Sequence, residues 1–451
     1  MIDTLWRILL DKEHMACLKM QKAKWRTLEC PFVLHDLNIK RDIIRERHDK
    51  TMLVSTEKMG AEGGKEVGRK LKDSDYAVVF ADIEQDLNTF MKGFKNEGHT
   101  RVIGCSSYGT LCSEQDGGKA VAYGISSADL LMGFSSVKVG KNPRMNGTNL
   151  AERAIVDIGK ESSKLSRIFA RYSAMVSNMP EKIAIAKPYY HMLLFTDPFQ
   201  NCDEDIIRGI HQKIQRLSPL FGGSAYGKGE KSTLFCDRRA VEDGAAMALV
   251  ATARSLGYGC ENGLTLRNRK PYMVTDARDR IVYEINKKKA VEVYSEITGL
   301  SVKELIKERW LMNRTAVDYP FAVFDNEGKK WMKAPFTANE NGSITFMTRM
   351  AIGNMLFAAK STQSSVVKST EAAVKEALRR VEDPEVIFIF DCQQRKVFLG
   401  DSIKKESEAI KRVAKGTPFI GFYTMGEHLS TANVPMDHLN GTVIAVALGK
   451  N

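Results

Sequence analysis

Tyr76-Ala-Val-Val-Phe-Ala-Asp82, then Leu87–Phe94, then Thr100-Arg-Val-Ile-Gly-Cys-Ser-Ser-Tyr-Gly109: this stretch decides the fold. The first segment is a continuous apolar run of the length of a buried strand. The second places Leu87, Phe90, Met91 and Phe94 at three- and four-residue steps, the spacing of one helix face. The third is another apolar strand that enters a glycine-bounded turn. The pattern recurs twice. His191-Met-Leu-Leu-Phe195 ends in Thr196-Asp197, a helix is expected over 204–217, and Pro219-Leu-Phe221 enters Gly222-Gly-Ser-Ala-Tyr-Gly227. Val386-Ile-Phe-Ile-Phe390 ends in Asp391, a helix is expected over 403–413, and Pro418-Phe-Ile420 enters Gly421-Phe-Tyr-Thr-Met-Gly-Glu427. From the Asp to the first turn glycine is 22, 25 and 30 residues, enough for a strand–helix–strand crossover between parallel strands. A further apolar strand follows each turn, at 119–124, 245–250 and 442–448. The fold class expected is α/β: two domains with repeated strand–helix–strand units forming mixed sheets flanked by helices.

Working outward, residues 1–50 do not share the pattern and read as an N-terminal helical extension. Residues 149–175 read as one long helix. Between the second and third copies, 275–285 reads as a hairpin, Ala290–Tyr294 opens a helix, a short helix follows over 302–308, and 322–336 forms a hairpin around Asn326-Glu-Gly328. The expected division is 1–50, 51–262 and 263–451.

Composition narrows the function classes. Hydrophobic residues make up 43% and charged residues 27%, the proportions of a folded globular chain. The net charge is +12 and the pI about 9.1. The basic residues are dispersed, and short clusters such as Lys287-Lys288-Lys289 carry few interleaved aromatics, so a nucleic-acid partner is not expected. The eight cysteines show no C-x-x-C spacing and no dense framework, which points to a reducing compartment without structural zinc or disulfides. No run of about 18 apolar residues occurs, so no membrane span is expected, and a cytoplasmic location follows.

The turns carry the candidate chemistry. Glycines at the ends of parallel strands let a ligand approach backbone N–H groups. The small polar side chains there supply donors and acceptors. The candidate ligand-binding residues are Cys105, Ser106 and Ser107 in the first turn, Gly222, Gly223 and Ser224 in the second, and Thr424, Gly426 and Glu427 in the third, with Cys392 and Arg395 beside it. Glu427 could grip an ammonium while Arg395 grips a carboxylate, a pairing suited to an amino acid; a structural Glu–Arg salt bridge is the competing explanation. No catalytic set emerges. Gly222-x-Ser224 lacks the closing glycine of a nucleophile elbow, and no turn has the G-K-[ST] ending of a phosphate loop. Of the eight histidines only His428 lies near a turn. A cysteine-dependent enzyme using Cys105 or Cys392 is the alternative.

These residues resemble a known family. Val102-Ile-Gly-Cys-Ser-Ser-Tyr-Gly109 resembles the "GCSTxG" element of the FIST N-terminal domain, and Leu220-Phe-Gly-Gly-Ser-Ala225 its later "GGSA" element. Residues 275–294 look like the entry to the FIST C-terminal domain, with Lys289 where proline is common. Phe390-Asp-Cys-Gln-Gln-Arg395 is similar to a "C-x-x-R" segment, and Pro418–Glu427 followed by Asn440-Gly-Thr442 is the strongest match. Thr110 follows Gly109 where the family often continues Gly-Glu. The resemblance implies an intracellular sensory module for small ligands such as amino acids. The expectation is a stand-alone sensor without cofactor or chemistry of its own, which passes its signal to a protein partner.

Overall fold

The computed structural model describes residues 49–450 apart from 115–116, 180–188, 229–230, 309, 312–314, 433 and 435–436. The expected N-terminal helical extension lies outside the described residues, except that Lys50 already begins a strand, Lys50–Thr56. The protein is α/β, with mixed sheets flanked by helices, as the sequence leads one to expect.

The repeated unit is present three times, and each copy is a five-strand arrangement with the same order. In the first unit Lys50–Thr56, Ala120–Ser126, Tyr76–Asp82, Arg101–Ser107 and Leu234–Cys236 lie side by side. The second has Leu130–Lys138, Gly244–Thr252, Tyr190–Thr196, Leu220–Ser224 and Glu427–Ser430. The third has Leu256–Glu261, Val443–Gly449, Pro384–Cys392, Phe419–Thr424 and Thr110–Cys112. In every unit the third and fourth strands are the parallel pair and the other neighbours are antiparallel.

The fifth strand in each sheet is donated by another unit. Chain leaving the first turn pairs with the third sheet, chain leaving the second turn with the first sheet, and chain leaving the third turn with the second. This cyclic exchange ties the three units together through backbone hydrogen bonds. Leu256–Glu261 lies before residue 262, yet it pairs with Val443–Gly449. The third unit therefore draws on chain from both sides of the expected division.

Alternation along the strands decides what each sheet face covers. Tyr76, Val78 and Phe80 point into a central core shared by all three sheets, while Ala77, Val79 and Ala81 pack under the helices Gly60–Lys70 and Leu87–Lys95. In the third unit Phe388 and Phe390 face the centre, while Ile387 and Ile389 face the helices Gln363–Arg379 and Lys404–Ala414. Both faces are buried, which is why these strands read as uninterrupted apolar runs. At the centre Phe80 stacks on Phe422 at 4.5 Å and meets Phe195 edge-on at 5.7 Å, and Phe390 lies 6.0–6.4 Å from Phe80, Phe195 and Phe422.

Register explains the recurring glycine. Gly104, Gly222 and Gly421 sit opposite Val79, Leu194 and Ile389 in the parallel pairs. A Cβ at each would lie 1.7, 1.9 and 2.2 Å from the carbonyl oxygen of that opposite residue, so no side chain fits. The same register corrects the matched Asp. Asp82 and Asp197 each receive a backbone N–H two residues on, from Glu84 at 2.8 Å and Phe199 at 2.9 Å, and so close the strand with a local turn. Asp391 is one position earlier, aligned with Ala81 and Thr196, and is fully buried.

Two helix expectations change. Residues 149–175 are two helices, Pro143–Gly159 and Ser162–Ser177, interrupted after a glycine. The helix expected over 204–217 is Asp203–His211. The segment after Leu256–Glu261 forms a further antiparallel sheet with its own core, inserted ahead of Gln363–Arg379. It contains the expected hairpins, as Thr265–Arg278 with Ile281–Ile285 and as Phe321–Phe324 with Lys330–Lys333, and the helices Ala290–Thr298 and Val302–Lys307. Among the described residues no helix is long and apolar enough to cross a membrane.

Candidate functional site

The cyclic exchange brings the three turns together. The first meets the second where the Ser106 hydroxyl donates to the Tyr226 carbonyl at 2.6 Å and the Tyr226 N–H donates to the Ser106 carbonyl at 3.0 Å. The second meets the third through Ser224 N–H to Gly426 O at 2.8 Å and Met425 N–H to Ser224 O at 3.0 Å. The third meets the first where the Tyr423 N–H donates to Gly109 O at 3.3 Å.

The residues singled out in sequence lie in this junction or, like Arg395, beside it. Cys105, Ser106, Ser107, Gly222, Gly223, Ser224, Cys392, Arg395, Thr424, Gly426 and Glu427 are all buried. Their polar atoms face protein partners. Ser107 donates to the Gly109 carbonyl, and Ser224 to Asp203 Oδ1 at 2.9 Å. Glu427 accepts from the Thr424 hydroxyl on one oxygen and from the Thr442 hydroxyl and N–H on the other, the last at 3.0 Å. Burial raises its carboxyl above the ordinary range, against the pull of these donors. The Cys105 and Cys392 thiols are also pushed well up by burial.

Arg395 pairs with Asp391 and Glu406, not with Glu427. Its Nε lies 2.7 Å from Asp391 Oδ1, and one terminal nitrogen reaches Glu406 Oε1 at 2.5 Å and Thr370 Oγ1 at 2.7 Å. The other donates to Ser369 Oγ at 3.1 Å. Its donors are thus turned toward the protein. Two carboxylates face one buried cation. Asp391 is held well above the usual carboxylate range, chiefly by burial and then by the charge of Glu406. Two buried carboxylates beside one guanidinium leave an excess of negative charge, which a low-dielectric interior disfavours.

The accessible chemistry lies one step outward, at the seam of the first and third units. A cleft of about 460 Å³ is lined by Asp82, Thr110, Lys119, Lys396 and Tyr423, with Gly109, Gly117 and Gly118 along its wall. Lys396 follows Arg395 on the helix Gln393–Leu399, and adjacent helical residues point in different directions, so Arg395 turns inward and Lys396 reaches the cleft. Its ammonium donates to the Tyr108 carbonyl at 2.6 Å and lies 4.6 and 4.8 Å from the ring centres of Tyr108 and Tyr423. No carboxylate of the described residues is ion-paired with it. Burial lowers its pKa, with Asp82 and Glu84 pulling the other way. Across the cleft, Lys119 is paired with Glu84 at 2.7 Å and Asp82 at 3.4 Å. Sequence offered no local signal for Lys396 or Lys119; only Asp82 stood out.

A second group missed in sequence lies at the seam of the second and third units. Asp203, His428 and His438 are buried, and their ligand-type atoms lie within 4.8 Å of one another. They come from the start of a helix in the second unit, from the donated strand of the third, and from the strand pair beyond it.

The FIST N domain matches residues 75–288 and the FIST C domain residues 290–430. No curated protein sequence matches. Among solved structures, a cyanuric acid hydrolase from A. caulinodans aligns over 89% of this chain and 99% of its own at 6% identity and a TM-score of 0.33. A phosphoribosylformylglycinamidine synthase II from Thermotoga maritima aligns over 86% and 69% at 9% identity and a TM-score of 0.17.

Proposed function

We propose, from the premise that this chain belongs to the FIST family, whose domains are sensory domains of signal transduction, that it senses a small carboxylate-bearing metabolite in the cleft around Lys396, an amino acid being the class that fits best. The observation carrying this reading is the Lys396 ammonium, half-buried and without an ion-paired carboxylate among the described residues. A cation drawn partly out of water gains most from an anion that completes its coordination. Asp82, half-buried on the opposite side with Lys119, offers acceptor oxygens for an ammonium. Gly109 keeps the space open, because a Cβ there would come 2.6 Å from Lys396 Nζ.

The location suits a sensor. The donated strand Thr110–Cys112 crosses from the first unit to the third beside this cleft. A ligand bridging Lys396 to Asp82 would tighten that seam, and a protein partner reading the seam would carry the signal onward. The reading assigns the chain no chemistry, in keeping with cysteine thiols that burial holds protonated.

A thermal-shift panel of amino acids, dicarboxylates and amines tests it. A ligand that binds only the folded state contributes about 2.7 kcal/mol at a hundredfold excess over Kd, so a hit raises the melting temperature and Lys396→Met abolishes the rise. A panel without any shift, or a shift that Lys396→Met leaves intact, overturns the reading.

A further inference from the structure

We propose that Asp203, His428 and His438 form a binding site for a divalent transition-metal ion, zinc being the best chemical match, at the seam of the second and third units. Two imidazoles and one carboxylate are a common donor set for zinc, with one position left for water. The His428 and His438 Nδ1 atoms face each other at 3.2 Å. With metal–nitrogen bonds of about 2.0–2.1 Å, two ligands of a tetrahedral ion lie about 3.3–3.4 Å apart, so this spacing is close to one edge of such a site.

The surrounding hydroxyls fix the groups in a ligating state. Asp203 Oδ1 lies within hydrogen-bond distance of both Thr196 Oγ1 at 2.5 Å and Ser224 Oγ at 2.9 Å. A carboxylate only accepts, so both hydroxyls spend their proton on it. Thr196 Oγ1, 2.9 Å from His428 Nε2, must then accept from that nitrogen. This arrangement suits the Nε2–H tautomer of His428, whose Nδ1 faces His438. An imidazole whose far nitrogen donates to a fixed oxygen and a carboxylate held by neighbouring hydroxyls are the outer-shell arrangement of protein metal sites. Among the described residues no Lys or Arg lies within ion-pair distance of Asp203; its sole such contact is His428 at 3.7 Å. A buried carboxylate without a permanent cation is short of positive charge, which a metal ion supplies.

There is also an approach. A narrow crevice between the second unit and the inserted sheet is lined by Asp203 and His438 together with Cys202, Asp205, Asp279 and Arg349. Gly426 makes room for the imidazole, since a Cβ there would lie 2.3 Å from the His438 ring. An ion held here joins the helix start at Asp203 to the strands that carry His428 and His438, and so staples two units. None of these residues lines the Lys396 cleft, so the two proposals stand or fall separately.

The test is a titration of the untagged full chain, stripped with chelator and dialysed, with zinc in the presence of a chromogenic competitor, and with cobalt read by visible absorption. The expected result is one equivalent of metal and a cobalt spectrum of a low-coordinate nitrogen–oxygen site. His438→Gln should lose that equivalent, and Ser224→Ala, which leaves all three ligands in place, should bind on the order of tenfold more weakly. A folded wild-type chain that takes up no stoichiometric metal overturns the proposal, and so does a His438→Gln variant that binds as the wild type does.

Discussion

Replacing Arg395 by Met separates a structural arginine from a ligand-gripping one. The substitution keeps most of the apolar stem and removes the guanidinium that Asp391, Glu406, Ser369 and Thr370 surround. Asp391 and Glu406 are fully buried, so neither can recover hydration in place. Removing one partner of a buried ion pair costs about 3–5 kcal/mol. Unfolding entropy scales as about 2 cal/mol/K per residue, which for a cooperative unit of about 400 residues gives about 1.2 °C per kcal/mol and a fall of about 4–6 °C in melting temperature. The loss should depend on pH. Arg395 pulls down the Asp391 pKa that burial raises, so without it Asp391 holds its proton more tightly than in the unfolded chain, and the variant's folded state binds more protons than its unfolded state and loses stability as pH rises. The deficit against wild type is therefore smaller at pH 5 than at pH 8. Differential scanning fluorimetry or urea unfolding at the two pH values reads this directly. A variant within about 1 °C of wild type at pH 8, or a deficit that shrinks as pH rises, refutes the assignment of Arg395 to the core.

Three further outcomes follow from the geometry. Gly222→Ala places a Cβ 1.9 Å from the Leu194 carbonyl at a φ of 142°, so the strands must part; a loss of about 3 kcal/mol or more in urea unfolding is expected, and near-neutrality would show that the parallel pair is looser than described. His191 is fully buried with Nδ1 unpaired, and burial lowers its pKa to about 4. A depressed folded-state pKa contributes stability that is present above the unfolded value of 6.5 and is lost as pH falls toward 4, about 3 kcal/mol in all; His191→Leu should flatten that acid limb, and an unchanged limb would assign it elsewhere. Cys105, Cys112, Cys202, Cys236, Cys260 and Cys392 are all buried, with Cys236 and Cys260 pushed up to about 12. Thiol labelling read by peptide mass should modify these six only as fast as the chain opens; rapid labelling at Cys105 or Cys392 would favour a cysteine-dependent enzyme.

The repeated unit was legible because its parallel strands are buried on both faces and therefore read as short apolar runs between glycines. Its completion was not. The donated strands Thr110–Cys112, Leu234–Cys236 and Glu427–Ser430 are three or four residues long and pair with chain far away in sequence, and so short a run has no period to detect. Leu256–Glu261 carries two glycines and hides its role in the same way. The turns close on one another: backbone bonds between Tyr226 and Ser106 and between Ser224 and Gly426 turn three tips into one packed junction. Arg395 drew attention as the charge beside the last turn, whereas its neighbour Lys396 reaches the cleft. Helix direction decides between the two, and it depends on where Gln393–Leu399 sits against the sheet. Asp203, His428 and His438 span more than two hundred residues of sequence and meet only through strand exchange.

The central claim is that the sensed molecule binds at Lys396 rather than within the closed junction at Glu427. Isothermal titration of the strongest hit against wild type, Lys396→Met and Glu427→Gln decides it. The account predicts that Lys396→Met loses affinity by on the order of a hundredfold, the value of about 2–3 kcal/mol for a charge-assisted contact, while folded Glu427→Gln stays within a few-fold of wild type. Undiminished affinity in Lys396→Met, with the loss falling on Glu427→Gln instead, would contradict it.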